Sequence, residues 1–205
     1  MLLDKKLTIR EVFYSVQGEG VRSGEPSVFI RLAYCNKDCW FCDTDWSWGE
    51  VWSVGALLKH VGQWKNKCDW IVWTGGEPTL QLTEEIASLF KEHGWKQSIE
   101  TNGTKPVPNS VDFISCSPKA GPKLLRECFP DGVDEFRYVL VPGSKLPNIE
   151  EIPKARHYYA SPIFEGKPQE RFEYVPENVR YCVEMVKENP PWKLSLQMHK
   201  IIGER

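Results

Sequence analysis

Three cysteines fall within eight residues, Cys35-Asn-Lys-Asp-Cys39-Trp-Phe-Cys42, in the spacing C-x3-C-x2-C. Thiolates are soft ligands, so three on one loop suit zinc or an iron–sulfur cluster. A structural zinc site and a [4Fe–4S] cluster both want four ligands. In the zinc case a distant His or Cys completes the set. In the cluster case one iron stays open to a ligand that is not protein. The cysteines alone leave both open. Asp43, Thr44 and Asp45 follow at once. They are oxygen donors of the kind Mg²⁺ takes, or else an Asx-type turn with a helix cap. Upstream, Gln17-Gly18-Glu19-Gly20 offers a donor and acceptors at Gln17, acceptors only at Glu19, and glycines that let a backbone approach a ligand; a plain hairpin turn fits the same residues. Arg31 lies within an apolar run and needs a partner there, either a protein carboxylate or a ligand carboxylate gripped by two bonds. Gly75-Gly76-Glu77-Pro78 places two bare backbone units beside a carboxylate able to accept from an ammonium group.

Each of these groups needs an element to hold it. Residues 28–34 are apolar and β-branched and read as a buried strand, which puts the cysteines at a strand's carboxyl end, where α/β folds keep their chemistry. Residues 7–16 read as a strand leading into the Gln17 turn. Further strands are expected at 69–74, 97–101, 111–116, 135–141, 157–160 and 193–197. Helices are expected at 53–62, capped by Ser53, at 83–92, with Ile86, Leu89 and Phe90 on one face, and at 178–187. This alternation predicts a parallel sheet with right-handed crossovers. The crossovers 101–111 and 141–157 leave room for a turn or two of helix. Polar groups recur at strand ends: the cysteines, 74–77, 100–102, 115–119 and 197–199. That phase suits an active site at a barrel mouth and weighs against a structural zinc loop. With no repeat or linker, residues 1–205 read as one domain.

A net charge of −2 gives no basic excess for nucleic acid, and no apolar run approaches membrane-spanning length. The first residues lack the apolar stretch of a signal peptide. The expected compartment is a reducing cytoplasm, with the seven cysteines as thiols or ligands. Cys68, Cys116, Cys128 and Cys182 are scattered and read as small core residues. Trp40, Trp46, Trp48 and Trp52 crowd the cysteine loop, either as a water shield or as ordinary packing.

The cysteine spacing, with aromatic Phe41 before the last Cys, resembles the signature of radical S-adenosylmethionine (radical SAM) enzymes, in which SAM chelates the open iron. Gly75-Gly-Glu-Pro78 looks like the motif that holds SAM's amino group. Together with Gln17–Gly20, Asp43-Thr44, Glu100-Thr-Asn-Gly103, Ser115-Cys-Ser-Pro-Lys119 and Gln197-x-His-Lys200, the order of motifs over nearly the whole chain resembles the 7-carboxy-7-deazaguanine synthases. One departure is Ala160-Ser-Pro162, where that family usually shows Gln-Pro. The resemblance implies a trimmed partial TIM-type (β/α)6 barrel with shortened helices. It implies a cytoplasmic homodimer reduced by a flavodoxin- or ferredoxin-type donor, with no nucleic-acid or membrane partner. The implied reaction turns 6-carboxy-5,6,7,8-tetrahydropterin into 7-carboxy-7-deazaguanine with loss of ammonia, for queuosine and 7-deazapurine biosynthesis. A 5′-deoxyadenosyl radical takes the substrate hydrogen, so SAM and the cluster carry the chemistry and no side chain is named catalytic. By position, Cys35, Cys39 and Cys42 would ligate the [4Fe–4S] cluster. SAM would meet Phe41, Gly75, Gly76, Glu77, Asn102, Ser117 and Lys119. Mg²⁺ would take Thr44. The pterin would meet Gln17, Gly18, Glu19, Arg31, Thr74, Gln197 and His199, with Arg31 clamping its carboxylate. Two rivals are a radical SAM activase that makes a glycyl radical on a partner protein, and a structural zinc-binding module.

Overall fold

Strand β2 (Pro26–Leu32) buries Ser27, Val28, Phe29, Ile30 and Leu32, residues that alternate between its two faces. A strand covered on both faces belongs in a parallel sheet flanked by helices. The computed structural model describes residues 1–164 and 175–204. The other strands are β1 (Lys6–Val16), β3 (Glu50–Ser53), β4 (Trp70–Gly75), β5 (Lys96–Thr101), β6 (Phe113–Cys116), β7 (Val133–Leu140), β8 (Ala155–Pro162) and β9 (Lys193–Leu194). The helices are α1 (Val54–Val61), α2 (Glu84–Glu92), α3 (Pro122–Cys128), α4 (Pro176–Glu188) and α5 (Met198–Ile202).

All nine strands join one sheet in the order β3-β1-β2-β4-β5-β6-β7-β8-β9. From β2 to β9 every pairing is parallel, and each new strand adds to the same edge. Winding in one direction curls a sheet toward a barrel instead of the doubly wound form, where the order reverses. The six strands β2 and β4 to β8 make up the expected trimmed (β/α)6 unit. No pairing joins β9 to β3 among the described residues, so the barrel is partial. The turn after β1 bridges part of that gap: Gly20 N donates to Ser195 Oγ at 2.9 Å, and Met198 N donates to Gly18 O at 2.9 Å. Arg22, on the same turn, is buried on Ser98 Oγ at 2.9 Å with Trp70 stacked 3.6 Å from its guanidinium carbon.

The main core lies between the sheet and helices α1 and α2, around Trp73 and Phe90 with ring centroids 5.0 Å apart. Each such fully buried side chain contributes about 1.5–3 kcal/mol. Ser53 caps α1 as expected, accepting from Ala56 N at 3.2 Å.

The structure revises several expectations. β1 pairs antiparallel with both β2 and β3, so the parallel sheet begins only at β2. β3 and α3 were not expected. The strand placed at 193–197 stops at Leu194, and Met198 to Lys200 open a helix. The crossover from β5 to β6 carries no helix, and that from β7 to β8 carries one 3-10 turn at Ile149–Glu151. The four tryptophans do not line the cavity beside the cysteines. Trp40 is 79% exposed, Trp48 lies 4.2 Å from the Arg10 guanidinium carbon, and Trp52 packs edge-on against His60. Cys116, Cys128 and Cys182 are buried as read, Cys68 is half-buried, and all seven cysteines are free.

Candidate active site

The cysteine loop leaves β2 through Tyr34, which adopts φ 71°, a left-handed conformation costly for a bulky residue. Two backbone bonds hold it there: Tyr34 N donates to Trp46 O at 2.8 Å, and Tyr34 O accepts from Glu77 N at 2.9 Å. The glycine pair explains the second. A Cβ on Gly76 would stand 1.9 Å from Tyr34 O, and one on Gly75 would stand 2.0 Å from Leu32 O. Gly75 also has φ +126°, open only to glycine at low cost. The two glycines thus let the β4 end lie directly on the root of the cysteine loop.

Cys35, Cys39 and Cys42 line a cavity of about 230 Å³ together with Phe41, Gly75, Gly76, Asn102, Ser117 and Lys119. These are all the residues expected around cluster and SAM except Glu77. Asn102 Nδ2 lies 3.9 Å from Cys35 Sγ and donates to Asn36 Oδ1 at 2.9 Å. Burial pushes the Cys42 thiol above its ordinary pKa. Burial lowers the pKa of Lys119, against the opposing pull of Cys39, Cys116, Cys42 and Cys35. Its ammonium donates to Ser117 O at 2.9 Å and Ser117 Oγ at 2.8 Å.

Glu77 corrects the expectation. Its residue exposure is 0% and both oxygens are engaged by the protein. Oε1 accepts from Thr79 N, Thr79 Oγ1 and Thr101 Oγ1, and Oε2 accepts from Asn102 N at 2.7 Å. A carboxylate enclosed by four donors is not presented to a ligand's ammonium group. It fixes Asn102 instead.

A second cavity of about 510 Å³ adjoins the first. Gln17, Gly18, Glu19, Arg31, Thr74, Gln197 and His199 all line it, so the structure brings every expected substrate residue together. Its organiser is a residue that sequence reading missed. Arg137, with a side chain 5% exposed, donates Nη1 to Glu19 Oε2 at 2.8 Å, Nη2 to Glu100 Oε2, and Nε to Ser115 Oγ at 2.9 Å. Glu135 Oε1 is 3.1 Å from the same Nε. Burial raises the pKa of Glu135, and the nearby Glu19 charge adds to the rise. Glu100 in turn accepts from Gln17 Nε2 at 2.9 Å. Gln17, Glu19 and Glu100 are therefore one network pinned on one guanidinium.

Arg31 meets a protein carboxylate: its Nε donates to Glu11 Oε1 at 2.8 Å across the β1–β2 pair. Its Nη1 lies 3.5 Å from Thr44 Oγ1 and faces the cavity wall. Gly18 leaves room not for a ligand but for His199, since a Cβ there would stand 1.8 Å from His199 Nδ1. Burial lowers the His199 pKa, with Glu19 opposing. Asp43 accepts from the Lys200 ammonium and from Gln197 Nε2 at 3.3 Å. Burial would raise the Asp43 pKa, but the charge and hydrogen bonds of Lys200 outweigh it and hold the carboxyl below its ordinary value.

Among the described residues no three His, Cys, Asp or Glu side chains converge on a single ion. Zinc needs such convergence. A four-iron cluster does not, because its thiolates bind separate irons. Three soft donors on one loop, a cavity beside them, and Lys119 as the adjacent cation fit that cluster with SAM on the open iron. The oxygen pair Asp43 and Thr44 fits Mg²⁺ poorly. Asp43 is already bound to one cation, and Thr44 Oγ1 lies between Asp43 Oδ1 at 3.3 Å and the Arg31 guanidinium.

A sequence profile of the Radical SAM superfamily matches residues 29–138. The chain is 37% identical, over 99% of both sequences, to a 7-carboxy-7-deazaguanine synthase of Haemophilus influenzae. It is 36% identical to one of Bacteroides thetaiotaomicron, over 96% of this chain and 98% of the relative. Among solved structures, QueE from Escherichia coli superposes with a TM-score of 0.69 over 95% of each chain, at 22% identity, a likeness of fold.

Proposed function

The chain belongs to the radical SAM superfamily and, within it, to the 7-carboxy-7-deazaguanine synthase family, and from that premise we propose how its residues serve the reaction. The reaction is conversion of 6-carboxy-5,6,7,8-tetrahydropterin into 7-carboxy-7-deazaguanine with loss of ammonia, in queuosine biosynthesis. When bound, the [4Fe–4S] cluster and SAM supply the one-electron chemistry that removes a hydrogen atom from the substrate. The chain's own work is to bind, orient and exclude water.

In this reading Cys35, Cys39 and Cys42 hold the cluster. Phe41, Gly75, Gly76, Asn102, Ser117 and Lys119 hold SAM, and Glu77 acts through Asn102. Gln17, Glu19 and Glu100 present a fixed set of donors and acceptors to the edge of the pterin, with Arg137 fixing the carboxylates. Arg31 faces the pterin carboxylate. Gln197 and His199, carried at the start of α5, close the cavity from the side. The observation that carries the reading is a shared wall: Glu19, Asp43, Thr44, Thr74, Glu100 and Gln197 line both cavities. A ligand in the polar cavity therefore lies against whatever occupies the thiol-lined one.

The reading extends to a single domain over residues 1–205, supported by one continuous sheet from Lys6 to Leu194. Family membership supports a homodimer in the cytoplasm and a flavodoxin- or ferredoxin-type electron donor. The test is anaerobic reconstitution with iron and sulfide, then turnover with SAM, a reductant and the carboxytetrahydropterin, followed by mass spectrometry. A brown protein that forms the deazaguanine product is the expected outcome. A colourless zinc protein, or a brown one that leaves the pterin intact, would overturn it.

A further inference from the structure

Lys200 is the least expected charge near the cysteine loop. It lies on the five-residue helix α5, yet its side chain is only 5% exposed. Its ammonium donates to Asp43 and to Gln197 Oε1 at 2.8 Å, and sits 5.6 Å from the centre of the Phe164 ring. Asp43 is the residue next to Cys42, and its other oxygen receives the Thr44 hydroxyl at 3.3 Å. The Arg31 guanidinium reaches that hydroxyl from the opposite side at 3.5 Å. Lys200, Asp43, Thr44 and Arg31 all line the polar cavity.

Mg²⁺ demands near-octahedral oxygen coordination with several waters kept. Here the carboxylate it would use already carries an ammonium, and the hydroxyl it would use faces a guanidinium. A divalent ion placed between the buried Lys200 and the partly buried Arg31 meets repulsion from both cations, screened less than in bulk water. A lysine held this way also costs side-chain freedom and desolvation, which a surface position would spare it.

We propose that Lys200 stands in for the divalent cation in this chain: its ammonium, fixed on Asp43 and Gln197, supplies with Arg31 the positive charge that the substrate's carboxylate meets, and the enzyme works without Mg²⁺. The inference rests on the pterin reading above and replaces the magnesium role expected of Thr44. It also gives α5 a purpose, since Gln197 just before the helix and Lys200 on its first turn grip the same carboxylate oxygen.

The test uses the full-length protein with its cluster oxidised, and Mn²⁺ as a paramagnetic probe. Electron paramagnetic resonance counts bound Mn²⁺ in the wild type, Lys200→Met and Lys200→Met/Thr44→Ala, and turnover is followed in EDTA and in rising Mg²⁺. The wild type is expected to bind no Mn²⁺ below about millimolar concentration and to keep its rate in EDTA. Lys200→Met is expected to lose at least about tenfold in kcat/KM in EDTA and to bind Mn²⁺ through Thr44, so that the double variant loses the ion again. Stoichiometric Mn²⁺ in the wild type, a wild-type rate that collapses in EDTA, or a Lys200→Met protein as active as the wild type in EDTA would each overturn the proposal. The wild-type arms decide it even if the variants fail to fold. No turnover of the pterin under any condition would instead strike the functional reading, and the Mn²⁺ count would still report on Lys200.

Discussion

The two adjoining cavities are built by different means. Around the cysteines, backbone packs on backbone: Gly76 on Tyr34 O, Gly75 on Leu32 O, with a buried Glu77 tying both to Asn102. Around the polar cavity, long side chains hold one another: Arg31 on Glu11, Lys200 on Asp43, and Glu19 and Glu100 of the shared wall on Arg137, which itself lines the first cavity. A backbone contact has no rotamer to yield, whereas a side-chain contact can rearrange. The first cavity should therefore fail outright under small changes, and the second should degrade by steps.

The largest effect is expected at the thiols. Cys39→Ala should lose the four-iron cluster and all turnover, while Cys68→Ala and Cys182→Ala keep their iron; normal iron and sulfide content in Cys39→Ala would remove the cluster assignment. Next comes Gly76→Ala. Its added methyl group meets a carbonyl oxygen that cannot swing aside, so a loss above about 4 kcal/mol is expected, in the range reserved for severe structural mechanisms. Chemical denaturation measures it, and a loss under about 1 kcal/mol would mean the loop root is adaptable after all. Third is Arg31→Lys. Losing one charge-assisted bond, worth about 1.5–3 kcal/mol, should raise the pterin KM roughly ten- to a hundredfold with SAM affinity unchanged. An equal rise for a pterin lacking the carboxylate would make Arg31 only the partner of Glu11.

The smallest and most diagnostic change is Gly18→Ala. Its methyl group meets the His199 ring, which can turn, so overpacking should cost only about 1–3 kcal/mol and mainly loosen α5. The same contact responds to pH. The folded state holds His199 below its ordinary pKa of 6.5, so the unfolded chain takes up the proton more readily. The contribution is intact above pH 6.5 and is lost as pH falls through the lowered value of the folded state. Amide exchange at residues 198–202 should accelerate over that fall in the wild type but not in His199→Gln; equal acceleration in both would place the titrating group elsewhere.

This contrast also explains what was legible in the sequence. The cysteine spacing, the glycine pair and Asn102 are local patterns, and the residues they mark line one cavity together. Glu77 was misjudged because half of its donors, Thr101 Oγ1 and Asn102 N, come from the end of β5, which spacing does not reveal; the other two come from nearby Thr79. Arg137 was missed although it carries the same signal that marked Arg31, an arginine inside an apolar strand. Glu135 is its neighbour two residues back on β7, but Glu19 and Glu100 arrive from the turn after β1 and from β5, and only the tertiary fold brings those two to it. β3 is four half-exposed to exposed residues at a sheet edge, too short to show alternation. α3 did leave a trace in Pro122 at its first turn, with Leu125 and Cys128 three apart on its buried side.

The bridge from Gly20 to Ser195 spans 175 residues, and Met198 bonds back to Gly18 across a similar distance. Contacts of such long range close late, because the chain entropy they remove is largest when little else has formed. The three thiols, the glycine pair, Asn102, Ser117 and Lys119 all lie between residues 35 and 119, so they are synthesised and able to assemble before β7, β8, β9 and α5 have been made. Gln197, His199 and Lys200 follow Lys119 by more than seventy residues and leave the ribosome correspondingly later. In the order of biosynthesis, the thiol-lined cavity can form first, and the polar cavity closes only once α5 has been made.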